Sequence, residues 1–432
     1  MLTVAYLANE FPVSVEPYVG EEIQELRRRG VHIVASSVRK ASAQPGRAPT
    51  AEDAGEVLCL QSFRPIIFVR AIGLAVRRWA RISGFVARVL LRGREPVSRR
   101  LRALLHTCLG VYYAVLLRDQ NVDHIHVHHG YFGSWIGMVA ARLLGVGFSL
   151  TLHGSDLLLH SAYLDTKLKN CRFCVTISEY NRRYILQHYP AIHAGKIVVS
   201  RLGADAPGRT EFSLSRPANR ARHTFTLLAV GRLHAVKDHA FLVRACARLR
   251  DYGFNFECAI AGEGPERGAL ESLIRQSRLQ DRVTLVGHAS RQQMNGLYRF
   301  ADVVVLTSRS EGIPLVLMEA MGRGKIVLAP AITGIPELVL PGKTGFLYAP
   351  GSTNDFVAKI LLLEEQLRGE ERNAVTRLDW IRHAARVHVV HNFSRRKNLT
   401  RFADLFLQRV ATRQVAIQDW SYSHEDFVLQ QI

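Results

Sequence analysis

The sequence predicts an α/β protein of two domains, each built on a parallel sheet covered by helices. Short apolar runs rich in Val and Ile alternate with longer segments of helical period in both halves of the chain, the pattern of parallel sheets wrapped by helices. A stretch from Ala204 to His223, rich in Pro, Gly, Arg, Ser and Thr and without a sustained apolar period, separates the halves as a linker would. The length of 432 residues agrees, since a domain takes roughly 100 to 200 residues.

The elements follow in order. Leu2 to Leu7 reads as a strand, and Glu16 to Arg29 as a helix with Val19, Ile23 and Leu26 on one stripe, stopped by Gly30 before a strand at Val31 to Ala35. Further strands fit His124 to His128, Phe148 to Leu152, Cys174 to Ile177 and Ile197 to Ser200. After the linker, buried strands fit Phe225 to Val230, Phe256 to Ala261, Val283 to Val286, Val303 to Leu306 and Ile326 to Ala329, with helices between them. The last helical pattern lies near Asn398 to Val410. The expected division is therefore 1–205, with a basic helical insertion at about 64–118, then 224–385, then a helical segment 386–412 that packs back on the first domain. A polar and aromatic tail, 413–432, carries no assignable role.

Composition narrows the function. A hydrophobic fraction of 48% with 22% charged residues excludes a disordered or fibrous chain. The six cysteines, Cys59, Cys108, Cys171, Cys174, Cys246 and Cys258, are too sparse for a disulfide scaffold. Together with an amino terminus lacking an export signal, they lead to the expectation of a cytoplasmic protein. The longest nearly apolar stretch, Ala103 to Leu117, falls short of the ~20 residues that span a bilayer. The excess of 57 Lys and Arg over 37 Asp and Glu favours contact with polyanions.

Much of that excess lies between Phe63 and Gln120, where Arg64, Arg70, Arg77, Arg78, Arg81, Arg88, Arg92, Arg94, Arg99, Arg100, Arg102 and Arg118 face only Glu95 and Asp119. On a helical projection, six arginines from Arg70 to Arg92 share one sector, opposite Phe68, Ile72, Val76, Trp79, Val86 and Leu90. Leu74 and Phe85 intrude on the basic side, and Gly84 marks a place where the helix can break. Such a segment rests on anionic lipid with its apolar side partly inserted, or packs that side on its own domain and leaves the arginines in water. No nucleic-acid module is present in the sequence, and nucleic acid is not an expected partner.

The chemistry-bearing residues cluster in the second half. The strand Phe225 to Val230 delivers Gly231-Arg232-Leu233, with Lys237 shortly after; cations at the carboxyl end of a parallel strand suit a diphosphate. Ser308-Arg309-Ser310-Glu311-Gly312-Ile313-Pro314 leads into Leu315 to Met321, with Pro314 suited to the first turn of a helix and Glu319 inside it. If mostly helical, the step from Glu311 to Glu319 rises about 12 Å, comparable with the sugar-to-ribose distance of a nucleoside diphosphate sugar.

The succession Gly231-Arg232, Lys237, Ala261-Gly262-Glu263-Gly264-Pro265, Glu311, Glu319, Gly334-Ile335-Pro336-Glu337, Gly342 and Gly345 resembles the donor-binding domain of family 4 retaining glycosyltransferases, most closely over residues 225 to 350. In the first half, Phe11-Pro12, Glu16, Glu21-Glu22-Ile23, Asp123 to His128, Thr151-Leu152-His153-Gly154-Ser155-Asp156 and Thr176 to Glu179 resemble the acceptor half of polysaccharide-building members, including colanic-acid-type enzymes. The resemblance implies a GT-B fold, two Rossmann-like domains facing across a cleft. It further implies an enzyme that moves a sugar from a nucleotide donor to a glycan or lipid-linked acceptor with retention of anomeric configuration, in exopolysaccharide or cell-surface glycan synthesis.

Carried onto this sequence, the resemblance makes Arg232 and Lys237 the cations that neutralise the departing diphosphate, with no metal or other cofactor. Glu311 orients the donor sugar and Glu319 the ribose. Gly231, Gly312, Ile313, Pro314, Thr333 and Gly334 complete the substrate-binding set, while His153 faces the sugar with Asp156 as its support. The family often has Gly-Gly at Thr333-Gly334 and Pro at Lys325, so Lys325 is either a further cation near the site or a surface charge.

Rival readings are weaker. Ala261 to Gly268 departs from the dinucleotide-binding fingerprint, through Pro265 and a late last glycine. His124, His126 and His128, with His129 and His153, could form a metal site but fit local hydrogen bonding better. Cys171 and Cys174 fit packing better than zinc or redox chemistry. A catalytically silent sugar-nucleotide or glycan-binding protein on the same scaffold is the alternative from another class.

Overall fold

The computed structural model describes residues 1–12, 16–40, 57–62, 64–91, 95–159, 162–206, 224–368 and 376–411. The first domain runs β1 (Thr3–Glu10), α1 (Pro17–Arg28), β2 (His32–Arg39), β3 (Leu58–Cys59), α2 (Pro65–Arg77), α3 (Trp79–Leu90), α4 (Val97–Leu117), β4 (His124–His128), α5 (Phe132–Leu144), β5 (Gly147–Leu152), α6 (Ser155–Leu158), α7 (Leu164–Asn170), β6 (Phe173–Thr176), α8 (Glu179–His188) and β7 (Ile197–Val199). Its strands pair in parallel in the order β3-β2-β1-β4-β5-β6-β7. All five residues of β4 are buried, as a strand covered on both faces requires.

The second domain contains β8 (Phe225–Val230), α9 (His239–Asp251), β9 (Phe256–Ala261), α10 (Arg267–Gln276), β10 (Val283–Gly287), α11 (Arg291–Phe300), β11 (Val303–Val305), α12 (Leu315–Gly322), β12 (Ile326–Pro330), α13 (Ile335–Leu338), β13 (Phe346–Tyr348), α14 (Thr353–Arg368) and α15 (Arg377–Asn392). Its parallel order is β10-β9-β8-β11-β12-β13. In both sheets the first strand lies inside, with the chain running outward on each side, so each sheet has a switch point beside β1 or β8 where a ligand crevice forms. This is the predicted architecture of two Rossmann-like α/β domains.

Helix ends follow local rules. Pro17 opens α1, whose Val19, Ile23 and Leu26 are buried, and Ser178 caps α8 by accepting from the Asn181 amide at 3.1 Å. Pro314, read as part of the first turn, instead caps α12 from outside, and only Leu315 onward is helical. The 12 Å rise between Glu311 and Glu319 therefore does not apply, because nearly half of that step is loop.

The chain crosses back between domains after α15. The Ala385 and Val389 side chains of α15 pack with Leu317 and Met321 of α12, so residues up to 392 belong to the second domain and the expected division at 386 cuts through a helix. A parallel bridge joins Ala204 to Ser394, and α16 (Arg395–Ala411) then lies on the first domain. There Phe402, Ala403, Phe406 and Val410 share a core with Val4, Tyr6, Val19 and Ile23. Arg395 pairs with Glu21 and Asp205, and Arg29 with Asp404. Most of the linker, 207–223, and the tail, 413–432, lie outside the described residues, as do Arg92 and Arg94.

The basic insertion departs from its projection. The helix breaks at Arg78, not at Gly84, and the side that turns inward carries Ala71, Ile82, Phe85 and Val89. Arg78 and Arg81 donate to the Leu143 carbonyl at the end of α5, and Arg88 bonds Glu95 and Asp165. Phe85, read as an intruder on a basic side, is thus a packing residue. Phe68, Ile72, Val76, Trp79 and Leu90, the side available for packing, face outward instead, with Val76 73% exposed. Ile66, Val69, Leu91, Val97, Leu101 and Leu105 are exposed too, giving a broad apolar surface on α2, α3 and α4. Among the described residues, no helix is long and apolar enough to cross a membrane.

Candidate active site

At the switch point of the second sheet, β8 and β11 are neighbours, with Ala229 paired to Val305. The segment after β8 carries Gly231, Arg232 and, on a short 3-10 turn, Lys237; the segment after β11 carries Glu311. Lys237 Nζ lies 2.5 Å from Glu311 Oε1, and the same oxygen accepts from the Ser308 hydroxyl at 2.6 Å. Thr307 ties the two segments by donating to the Lys237 carbonyl at 2.9 Å. Arg232 is exposed and has no carboxylate partner among the described residues. Its charge reaches Glu16, Tyr18 and Tyr131 of the opposite domain, which places the guanidinium in the cleft.

Glu319 projects from α12, with one carboxylate oxygen accepting from the Tyr298 hydroxyl at 3.1 Å. The Arg323 guanidinium lies over the Tyr298 ring at 4.7 Å. Burial, then the Glu319 charge, push the Tyr298 phenol well up, so the hydroxyl remains a donor. A cavity of about 500 Å³ between the domains is lined on this side by Glu319, Arg323 and Asn295, and on the other by Tyr18, Glu22 and Arg201.

Two glycines set the approach of the domains. A side-chain carbon on Gly154 would lie 2.9 Å from the Gly312 amide nitrogen, and one on Gly312 would lie 2.4 Å from the His153 carbonyl oxygen. The loop after β5 and the loop after β11 therefore touch through backbone, bringing His153 beside Glu311. Thr333 takes up φ +46 and donates to the Glu311 carbonyl at 2.6 Å, which offsets a left-handed conformation costly for a β-branched residue. Ile313 and Pro314 are buried in the second domain, so that segment can meet a ligand only through backbone. The Gly231 amide already donates to the Ala261 carbonyl at 2.9 Å. Lys325 donates to the Arg299 and Ala301 carbonyls at the end of α11 and is no cation of this site.

Asp156 is fully buried and shapes the loop. Its carboxylate accepts from the amides of Gly130 at 2.8 Å, His153 at 3.1 Å and Gly154 at 2.8 Å. It stands beside His129, whose Nε2 lies 3.1 Å from Glu16. Burial opposes a charge on His129, but its contacts with Asp156 and Glu16 outweigh this and raise it to about 10. Burial likewise opposes ionised Asp156, yet His129 and the backbone donors hold it well below the usual carboxylate range. Burial, reinforced by the His129 charge, pushes His153 well down and keeps its imidazole neutral.

The histidines of β4 form hydrogen bonds along one face. His124 and His126 each meet the Ser149 hydroxyl at 2.7 Å, and His126 also meets Thr151 at 3.0 Å. Glu22, His126 and His128 offer ligand atoms within 4.8 Å of one another, but the two imidazoles and the carboxylate already have polar partners in the fold. Cys171 and Cys174 are buried and unpaired, their thiols pushed up by burial, as packing residues are.

Several contacts carry no signal of their own in the sequence, although Glu337 itself lies in the Gly334 to Glu337 run. Glu337 of α13 accepts from the Glu179 and Tyr180 amides at 3.1 and 2.7 Å, closing the start of α8 across the domain boundary, and pairs with Arg201. The Tyr18 ring lies tilted against His153, 4.7 Å between centroids. The Glu337 pairings depend on the docking of two domains, and the Tyr18 contact on the folding of the first.

Comparison with known proteins agrees with this arrangement domain by domain. Residues 15–206 match the Glycosyltransferase Family 4 domain, and residues 213–377 match the Glycosyl transferases group 1 domain. The chain carries these two glycosyltransferase-family domains in succession. A protein named for colanic acid biosynthesis, the glycosyltransferase WcaL of Escherichia coli (strain K12), is 34% identical over 205 residues, covering 46% of this chain and 48% of its own. The amylovoran biosynthesis glycosyltransferase AmsK of Erwinia amylovora is 28% identical, covering 55% and 60%. The glycosyltransferase thus spans about half the length of the curated relatives it matches. Among solved structures, a sucrose-phosphate synthase from Thermosynechococcus elongatus superposes with a TM-score of 0.70 at 17% identity, over 96% of this chain and all of its own. The Anabaena protein HepE in complex with UDP gives 0.65 at 17%, over 94% and all of its own. These likenesses show the GT-B fold of the glycosyltransferase.

Proposed function

We propose that this glycosyltransferase moves a sugar from a nucleoside diphosphate donor to a glycan or lipid-linked acceptor, with retention, in exopolysaccharide or cell-surface glycan synthesis. The observation that carries the reading is the meeting of Lys237 and Glu311 at the second sheet's switch point, with the exposed Arg232 on the same segment as Lys237 and His153 opposite. Arg232 and Lys237 would stabilise the charge that grows on the departing diphosphate, making a divalent ion unnecessary. Glu311 would hold the donor sugar, and the free side of Glu319 the ribose. The acceptor hydroxyl attacks on the face the diphosphate leaves, and a diphosphate oxygen takes its proton. The names of WcaL and AmsK support the polymer-building role. A silent binding protein has no use for a lysine and a glutamate held in contact at the reacting end of the donor.

Transfer should be measured with UDP-, GDP- and ADP-sugars in the presence of chelator, with the anomer of the product read by NMR. We expect retained configuration, undiminished rate without metal, and a loss of at least about 100-fold in Glu311→Gln. An inverted product, strict dependence on Mg or Mn ions, or full activity in Glu311→Gln would each reject the corresponding part.

The exposed apolar side of α2, α3 and α4, flanked by Arg64, Arg70, Arg77, Arg99 and Arg102, supports a second part of the reading, attachment to an anionic membrane surface. It would bring the cleft to a lipid-linked acceptor at the cytoplasmic face. Sedimentation with phosphatidylglycerol vesicles is expected, with weaker binding at high salt and loss in the Val76→Glu, Trp79→Glu double variant. Equal binding by that variant, or binding only to an oligonucleotide control, would reject it.

A further inference from the structure

A buried chain of polar groups runs from the core of the first domain to His153. The Tyr6 hydroxyl and His128 Nε2 both converge on Glu22 Oε2, the second at 2.9 Å. Tyr6 keeps its proton, because burial and the Glu22 charge push the phenol well up, and it donates that proton to Glu22. A carboxylate can only accept, so His128 Nε2 must carry hydrogen in order to bond it. The other nitrogen of a neutral His128, Nδ1, is then bare and faces His153 Nε2 at 3.1 Å. His153 must donate across that gap, which places its single ring hydrogen on Nε2 and leaves its Nδ1 as an acceptor.

The rest of the surroundings fits this assignment. His153 Nδ1 has no hydrogen-bond partner among the described residues and keeps slight solvent access. The ring is flanked by Tyr18 at 4.7 Å and His129 at 4.6 Å between centroids, both tilted against it, which restricts its turning. Its carbonyl accepts from Asn181 at 2.8 Å, which fixes the backbone beneath it. Tyr6 and His128 are fully buried and do not line the cavity, whereas Glu22, also buried, borders it.

We propose that Glu22 and His128 are positioning residues that impose the Nε2–H tautomer on His153, so that its Nδ1 accepts a hydrogen bond from a hydroxyl of the donor sugar. This rests on the reading that the cleft holds a nucleotide sugar. It adds a selection rule: a bare ring nitrogen favours a hydroxyl at that position and disfavours a carboxylate, whose lone pairs it would oppose, so neutral hexoses are preferred to uronic acids.

The tautomer can be read without any ligand. In protein labelled with 15N-histidine, long-range 1H–15N correlation is expected to show His153 with a protonated Nε2 and a bare Nδ1. Glu22→Gln removes the obligatory acceptor and should let His153 populate both forms; Tyr6→Phe, which keeps the carboxylate, should leave it as in the wild type. A wild-type His153 protonated on Nδ1, or an unchanged His153 in folded Glu22→Gln, would overturn the proposal. The wild-type spectrum alone decides if that variant does not fold.

Binding supplies the second readout, with UDP-glucose, GDP-mannose and ADP-glucose compared with UDP, GDP and ADP. Glu22→Gln should weaken the preferred sugar nucleotide in proportion to the Nε2–H form that is lost, about twofold for equal populations, and leave its nucleoside diphosphate unchanged. Equal loss for both would contradict a role at the sugar. Should none of the six bind wild-type protein, the donor reading fails while the tautomer measurement stands.

Discussion

Replacing both Arg232 and Lys237 by alanine should abolish measurable binding of the donor nucleotide while leaving the fold intact. Arg232 is exposed without a carboxylate partner among the described residues, and the Lys237 ammonium bonds Glu311 alone among them, so neither side chain supports a core. Hydrogen bonds to charged groups contribute about 1.5 to 3 kcal/mol each. Losing two from a diphosphate therefore weakens binding by roughly 10² to 10⁴ in Kd. The single Lys237→Ala variant is the more informative half, because it also leaves Glu311 without its cation and places an unshielded carboxylate near the diphosphate. Calorimetric titration checks both, and unchanged affinity in the double variant would contradict the assignment.

Asp156→Ala should have the opposite character, a large stability loss from a residue that touches no ligand. Three amides, those of Gly130, His153 and Gly154, lose their acceptor, and His129 keeps only Glu16. Breaking a buried ion pair by removing one member costs about 3 to 5 kcal/mol. Denaturant unfolding should place the loss in that range.

The pH dependence gives a second handle on the same cluster. His129 is raised to about 10, so its stabilisation is complete below its unfolded value of roughly 6.5 and is lost as pH climbs through the folded value. Asp156 is lowered, so its contribution is complete above its unfolded value of about 3.9 and is lost only in strong acid. Lys167 works against His129 on the alkaline side, since burial pushes it down to about 7 and stability rises with pH as the unfolded lysine holds its proton longer. Asp156 counteracts that drop in Lys167, so removing it strengthens the rise. The readout is therefore the difference between proteins: from pH 7 toward 10, Asp156→Ala should lose less stability with rising pH than the wild type. A steeper decline in the variant would contradict the His129–Asp156 assignment.

Much of the fold was legible because parallel strands write themselves as short Val- and Ile-rich runs. The strands His124–His128, Phe225–Val230 and Phe256–Ala261 have the expected bounds. The missed strands, Leu58–Cys59 and Phe346–Tyr348, are edge strands too short to carry a pattern. The basic insertion misled because a helical projection locates an apolar stripe without saying what it meets. Small and aromatic residues of the other side, Ala71 and Phe85, fit the domain, and arginines cap α5 from within. Motif spacing singled out Arg232, Lys237, Glu311 and Glu319 as candidates, since each follows or sits within one element. It did not reveal that Lys237 and Glu311 are in contact, or that Glu22 reaches His153 through His128, because those meetings join residues 74 to 131 positions apart. Asp156 was legible as a neighbour of His153, but its burial and its three amide donors come from the turn that α6 makes after β5.

The central claim is that the cations after β8 hold the leaving diphosphate. It is tested most directly by a crystal structure with the nucleoside diphosphate that gives the largest thermal shift among UDP, GDP and ADP. The account predicts phosphate oxygens within hydrogen-bond distance of both Arg232 and Lys237, with the ribose on Glu319. A diphosphate bound in the cleft away from both cations, or a nucleotide bound outside the cleft, would contradict it.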